Sequence, residues 1–239
     1  APPAPRPPPP PPPRPRANRW ITLDLKDPKD LEVAKRLIDS ADGLIEGMRP
    51  GVMERLGLGP DEMLASNPRL VYGRMTGWGQ DGPRAKLAGH DLNYIGLSGA
   101  LWYAGLPGQP PVTPATLVGD IGGGALYLVI GMLAGLMRAK DTGQGTVVDA
   151  AIVDGSAHMM NLLMSMASVG GTVTERGRSR LDGPHCSRSA RCADGAFLAV
   201  PAREATWYAT FLDRIGQIQA REVRARHHNK TRPAAATPR

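Results

Sequence analysis

Cysteine is nearly absent from the 239 residues: Cys186 and Cys192 are the only two. Six positions apart, they supply neither a disulfide framework nor the paired spacing of a zinc site. Two reduced thiols fit a cytoplasmic protein. No apolar stretch of the kind that heads a secretory signal lies at the N-terminus, so no such signal is expected. The longest apolar run, Ala125–Met137, is shorter than a membrane span. It reads as a buried helix, and no membrane association is expected. Acid is missing from residues 1–20, which carry Arg6, Arg14, Arg16 and Arg19. It is nearly missing from 217–239, where Arg221, Arg224, Arg226, Lys230, Arg232 and Arg239 face Glu222 alone. These ends account for more than the whole net charge of +7, so the middle of the chain is slightly acidic. Residues 1–19 and 217–239 also lack the aromatics that stack on bases, and no nucleic-acid partner is expected.

Proline and glycine are abundant, at 24 and 29 residues. Much of the proline falls in residues 1–19, a Pro/Arg/Ala tract that cannot bury apolar surface. Such a tract adopts polyproline II or stays disordered, and fits either an SH3-type ligand or an extension without a task. From Trp20 the pattern changes. Ile21–Leu25 alternates like a short strand. Asp27 and Pro28 then carry the N-cap and first-turn signals of a helix whose Leu31, Val33, Ala34, Leu37 and Ile38 share one face. Gly43–Glu46 is a second strand, Pro50–Leu56 and Asp61–Ala65 are short helices, and Leu70–Met75 is a third strand. Strand alternating with helix predicts a parallel α/β sheet. No G-x-G-x-x-G fingerprint accompanies it.

Residues 76–120 are loop-rich, and loops of that length inside a compact domain are usually functional. A helix is expected over about 121–139, a brief strand over 146–149 and a methionine-rich helix over about 150–167. Its Met159, Met160, Met164 and Met166 read as core. A turn into a strand (191–200) and a last helix (206–215) follow, after which periodicity fails.

Six segments stand out in order along the middle: LDLKDPKDLEVAKRLIDSADGLIEGMRPGVMERLGLGP (23–60), NPRLVYGRMTGWGQDGP (67–83), AGHDLNYIGLSGAL (88–101), LVGDIGGGALYL (117–128), GQGTVVDAAIVDG (143–155) and RCADGAFLAV (191–200). Through them the chain resembles the family III CoA-transferase superfamily, and within it the α-methylacyl-CoA racemases, over about residues 20–215. The resemblance implies a Rossmann-like parallel sheet as a large α/β domain (20–180) that binds CoA and carries catalysis. It also implies the start of a smaller α+β domain (181–216). The segments 1–19 and 217–239 are expected to lie outside that fold as a disordered extension and a basic disordered tail. The proline tract stands where the family has its first strand and helix with a CoA-binding arginine. The stretch 184–190 lacks the family's aromatic-rich segment, and family chains continue well beyond Gly216. The expectation is therefore an incomplete copy, as a truncated or frame-disturbed gene would give.

The implied activity is racemisation of 2-methylacyl-CoA thioesters. A base takes the α-proton from one face, an acid returns one to the other, and an enolate lies between. No cofactor is needed, CoA being part of the substrate. The partners implied are the acyl-CoA and a second copy of the chain in an interlocked homodimer. His90, in Gly89-His90-Asp91, matches the family's catalytic histidine, and imidazole titrates near neutral pH. Asp120 matches the acid paired with it. Glu204 matches the glutamate of the opposite face. Judged alone, His90 is a loop histidine, Asp120 a helix N-cap and Glu204 a solvated acid at a helix start. Leu23, Asp24, Leu25 and Lys26, then Gly47, Met48, Arg49 and Arg55, then Gly89, Asp91, Leu92, Asn93 and Tyr94 match nucleotide and pantetheine contacts. Arg49 and Arg55 fit phosphates, or an ordinary surface. Gly122, Gly123 and Gly124 are expected to let backbone N–H groups approach the thioester oxygen. Two alternatives stay open: CoA transfer with Asp120 as nucleophile, for which a histidine base at position 90 is unnecessary, and an inactive truncated product.

Overall fold

The computed structural model describes residues 19–171, 174–177, 187–202 and 204–216. The extension and tail expected at the two ends lie outside these residues except for Arg19, as do residues 184–186, Cys186 among them, of the departing stretch 184–190.

Helix α1 (Pro28–Asp39) begins as its sequence dictates. Asp27 is the N-cap, its carboxylate accepting the Lys29 N–H at 2.7 Å, and Pro28 fills the first helical position. The strand expected at Ile21–Leu25 does not form. Its alternation meets no neighbouring strand, and local side chains take the backbone instead. Asp30 accepts the Asp24 N–H at 2.8 Å, and Asp24 accepts the Lys26 N–H at 3.0 Å. The segment turns into α1 rather than joining a sheet.

Strand β1 (Gly43–Glu46) leads through α2 (Val52–Arg55) and α3 (Pro60–Ser66) to β2 (Val71–Thr76). Then come α4 (Asp91–Leu97), a 3₁₀ turn (Ala100–Tyr103), a wide helical run (Leu117–Ala125), α5 (Leu126–Thr142) and β3 (Thr146–Ala151). The three strands form a parallel sheet in the order β1-β2-β3, with Gly43 beside Val71 and Val71 beside Thr146. Central β2 is buried on both faces, as a strand between helical layers must be. Tyr72 joins Ile38, Met53, Leu58, Met63 and Leu70 on the α1–α3 side. Val71 joins Leu128, Met132, Ala139 and Ala150 under α5. The α/β class read from alternation is the class found.

The loop-rich segment 76–120 also holds α4. Two readings of the helices are corrected. The methionine-rich helix breaks at Met160 into α6 (Ile152–Met159) and α7 (Asn161–Ser168), with Met159 and Met164 exposed rather than in the core. The run around Ala125–Met137 is buried on one face only. Leu128, Met132, Gly135 and Ala139 meet the sheet, while Leu126, Val129, Ile130, Leu133 and Met137 face outward. Because the wide turns pass into α5 without a break, Leu117–Thr142 is 26 residues long, enough by length and composition alone to cross a membrane.

The antiparallel hairpin β4 (Ser187–Arg191) and β5 (Phe197–Pro201) precedes α8 (Ala205–Arg214). Val200, Ala202, Tyr208 and Leu212 make a small core of their own there.

Candidate active site

Three parallel strands end on the same side, and the polypeptide leaving those ends carries most of the candidate residues. This is where open α/β sheets place their ligands. β1 delivers Gly47–Arg49, β2 delivers Gly77-Trp78-Gly79, and β3 passes into α6.

The centre is built by α4 and the wide helical run. His90 is the exposed N-cap residue of α4, and its backbone N–H is held by the Asn93 side-chain oxygen at 3.0 Å. Next to it Asp91 is buried, 6% exposed, although it carries a carboxylate. One oxygen of Asp91 accepts two backbone N–H groups, from Gly119 at 2.8 Å and from Asp120 at 2.9 Å. The other oxygen is buried with no partner. This clamp ties the start of α4 to the wide run and sets Asp120 within the field of His90. Burial, first, and the neighbouring Asp91 charge, second, push the Asp120 carboxyl above its ordinary value, while His90 pulls it back.

Tyr94 floors this centre. Its ring lies where a Cβ on Gly77 or Gly89 would sit, and it meets Trp78 edge-on at 4.7 Å between centroids. Burial, then the charge of Asp120, raise the Tyr94 phenol. Gly77 and Gly89 are thus the space into which one aromatic ring fits.

The run Leu117–Ala125 is wound wider than an α-helix. The Ile121 N–H bonds the Thr116 carbonyl and the Leu126 N–H the Ile121 carbonyl, each five residues back. Such π-type turns are frequent at functional sites. Thr116, just before it, takes φ +61°, a left-handed conformation adopted by no other described non-glycine residue. For a β-branched residue that is strained. Gly123 and Gly124 prove to be packing residues. A Cβ on Gly123 would overlap Ser156, and one on Gly124 would come within 2.6 Å of Met75 and 2.8 Å of Ile152. The close approach they permit here is of α6 to the wide run.

The structure therefore brings His90, Asp91, Asn93, Tyr94 and Asp120 together. Leu92 is exposed on the outer side of α4. A second group forms at the end of β1. Gly47, Met48, Arg49 and Arg55 are exposed there. The turn Leu23–Lys26 reaches the same region through Leu25, which packs on the cluster that contains Met53 and Leu58; Asp24 and Lys26 are exposed and Leu23 half-buried. Glu204 is the exposed N-cap residue of α8, and among the described residues no hydrogen bond or ion pair joins it to His90 or Asp120. Sequence reasoning missed Trp78, Thr116 and Ser156. The tryptophan was visible between two glycines. The strain at Thr116 and the burial of Ser156 leave no mark in one sequence.

The family profile described as CoA-transferase family III matches residues 13–237, entering both terminal segments. The α-methylacyl-CoA racemases of Mus musculus and Homo sapiens are each 40% identical over 200 residues, which is 83% of this chain and 52% of theirs. The crystal structure of a CAIB/BAIF family protein from Brucella suis superposes with a TM-score of 0.71 at 26% identity, covering 83% of this chain and 52% of that one. The chain thus spans about half the length of the curated relatives it matches.

Proposed function

The chain belongs to CoA-transferase family III, and on that premise we propose that it acts on 2-methylacyl-CoA thioesters, removing and returning the proton at the α-carbon through an enolate. The observation that carries this reading is the convergence of His90 and Asp120 at the carboxyl end of the sheet, clamped there by Asp91. The 40% identity to two α-methylacyl-CoA racemases supports it.

The chemistry follows from the substrate. The α-proton of a thioester is weakly acidic, so its removal needs a base poised near neutral pH and stabilisation of the charge that moves to the carbonyl oxygen. His90 is the base for one antipode. Asp120, whose carboxyl is raised above its ordinary value by burial, is the acid paired with His90. Glu204 serves as the station for the opposite face. The exposed loop Gly47–Arg49 with Arg55, and the turn Leu23–Lys26, hold the CoA moiety, the arginines meeting its phosphates. No metal or redox group is required, because the reaction moves only a proton. The outward apolar face of α5 supports a second copy of the chain as partner.

The test is solvent exchange. With a 2-methylacyl-CoA in deuterated water, the α-proton should be replaced, and H90A should slow the replacement about 10²–10⁴-fold. Wild-type exchange in H90A would sink the reading. The family description itself favours a second reading, CoA transfer through an acylated Asp120. His90 speaks against it, since a carboxylate nucleophile needs no neighbouring base.

A further inference from the structure

Among the described residues, a buried cation lies outside the centre just described. Arg74, on β2, is 6% exposed. It stands in register between Glu46 on β1 and Asp149 on β3, so three charged residues cross the sheet in one row near the strands' carboxyl ends. Its Nε donates to Glu46 Oε1 at 2.9 Å and its Nη1 to Glu54 Oε1 at 2.7 Å. The two carboxylates differ in setting: Glu46 is 7% exposed, whereas the Glu54 side chain is 41% exposed. Glu46 uses its second oxygen to accept the Met48 N–H at 2.6 Å. The Arg74 guanidinium also stands 5.9 Å from the Tyr72 ring.

The sequence positions of these partners make the arrangement informative. Glu46 ends β1, and Glu54 lies in α2. Between them the chain runs as the loop Gly47–Gly51, which turns at Gly51 with φ +82°, and the first turn of α2. The fork of Arg74 grips both ends of this loop, and Glu46 also fixes its second residue. Sinking a guanidinium into the fold is costly, the more so because Nη2 of Arg74 is buried without a hydrogen-bond partner, and fold stability alone would be served as well by an apolar side chain. What the fork adds is a fixed distance between the end of β1 and α2. That distance sets where Arg49 and Arg55 present their charges.

We infer that Arg74 is a positioning residue for ligand binding, holding the loop Gly47–Arg55 in the shape that receives the phosphates of a CoA nucleotide. The inference rests on the reading of Arg49 and Arg55 as phosphate contacts. Arg74 itself touches no ligand and acts through Glu46 and Glu54. Lysine cannot replace it, because an ammonium lacks the planar fork that spans two carboxylates.

The experiment compares two probes, CoA and pantetheine, the second lacking the nucleotide and its phosphates. Binding of each is measured by calorimetry to the full chain and to R74M, R74K, E54Q, R49A and R55A, with melting curves for all. R74M and R74K should bind CoA roughly tenfold more weakly, the scale of a lost charge-assisted contact, with pantetheine affinity unchanged. E54Q removes only an outer half-exposed charge and guards against a folding failure in the Arg74 variants. It should show a smaller loss of the same kind. Equal weakening of CoA and pantetheine, or full rescue by R74K, would overturn the inference, because either would mark Arg74 as a general support of the fold. If R49A and R55A weaken CoA while R74M and E54Q do not, the inference alone falls. If R49A and R55A leave CoA binding intact, the reading of the loop falls and takes the inference with it.

Discussion

Asp91 holds the backbone of Asp120 at 2.9 Å across 29 residues of sequence, and the same carboxylate holds Gly119 at 2.8 Å. One buried acid thereby fixes another beside His90, and the electrostatic consequence is specific. Asp91 is the second cause, after burial, that raises Asp120. In D91N the amide oxygen can still accept the two N–H groups, but the charge is gone. Asp120 should then ionise at lower pH, and the acid limb of the kcat/KM profile should move to lower pH. A lower rate with an unmoved limb would reduce Asp91 to a structural clamp.

The raised Asp120 carboxyl also bears on stability. A group that binds its proton more tightly when folded favours the fold below its unfolded pKa, and this contribution is lost as pH rises through the folded value. At neutral pH the ionised Asp120 is therefore a local cost. D120N should melt at a higher temperature than the parent near pH 7, and this advantage should shrink as pH falls into the ordinary carboxylate range. Activity should be lost at the same time, a trade common at sites built for chemistry. A D120N protein that melts lower at neutral pH would contradict the sign.

The glycines after Asp120 give a packing test. Adding one methyl group at Gly123 forces it into Ser156. Overpacking of this kind costs about 1–3 kcal/mol, and G123A should lose that much in urea denaturation. Unchanged stability would mean that α6 can retreat from the wide run at no cost.

What could be read in one sequence divides along physical lines. The cap of α1 was legible because Asp27, Pro28 and Lys29 settle it among themselves. β2 was legible because its apolar Leu70-Val71-Tyr72 start is covered on both faces, and β1 because Leu44 and Ile45 lie between turn residues, although Ile45 stays exposed. Ile21–Leu25 alternates equally well and fails, since a strand exists only with a neighbour. Helix α4 was hidden because it opens on His90 and Asn93 rather than on a usual cap, and its buried face mixes Asp91 with Tyr94 and Ile95. His90 and Asp120 were named by resemblance, not by local pattern. That Asp91 would be an internal clamp more than a surface contact could not be read, because its partners lie 28 and 29 residues away. Met159 and Met164 misled for a related reason: composition reports apolarity but not which face finds a neighbour.

The last prediction separates the two stations of the proposed reaction. Each antipode of a 2-methylacyl-CoA presents its α-proton to a different side, so each should meet a different base. H90A should slow solvent exchange from one antipode more than from the other, and E204Q should show the reverse bias. Each lost base should cost its own antipode about 10²–10⁴-fold. Full racemisation should fail in both variants, since it needs both stations; the bias in exchange, not the loss of racemisation, is the informative quantity. Chirally pure substrate in deuterated water, followed by mass spectrometry at short times, measures it. Equal slowing of both antipodes by E204Q would remove Glu204 from the chemistry and leave His90 and Asp120 as a single station. A transferase would behave differently: no exchange, dependence on a carboxylate acceptor, and an adduct on Asp120 that hydroxylamine cleaves. Recovering that adduct from a mixture in which the α-proton stays unlabelled would assign Asp120 as nucleophile and overturn the racemase reading.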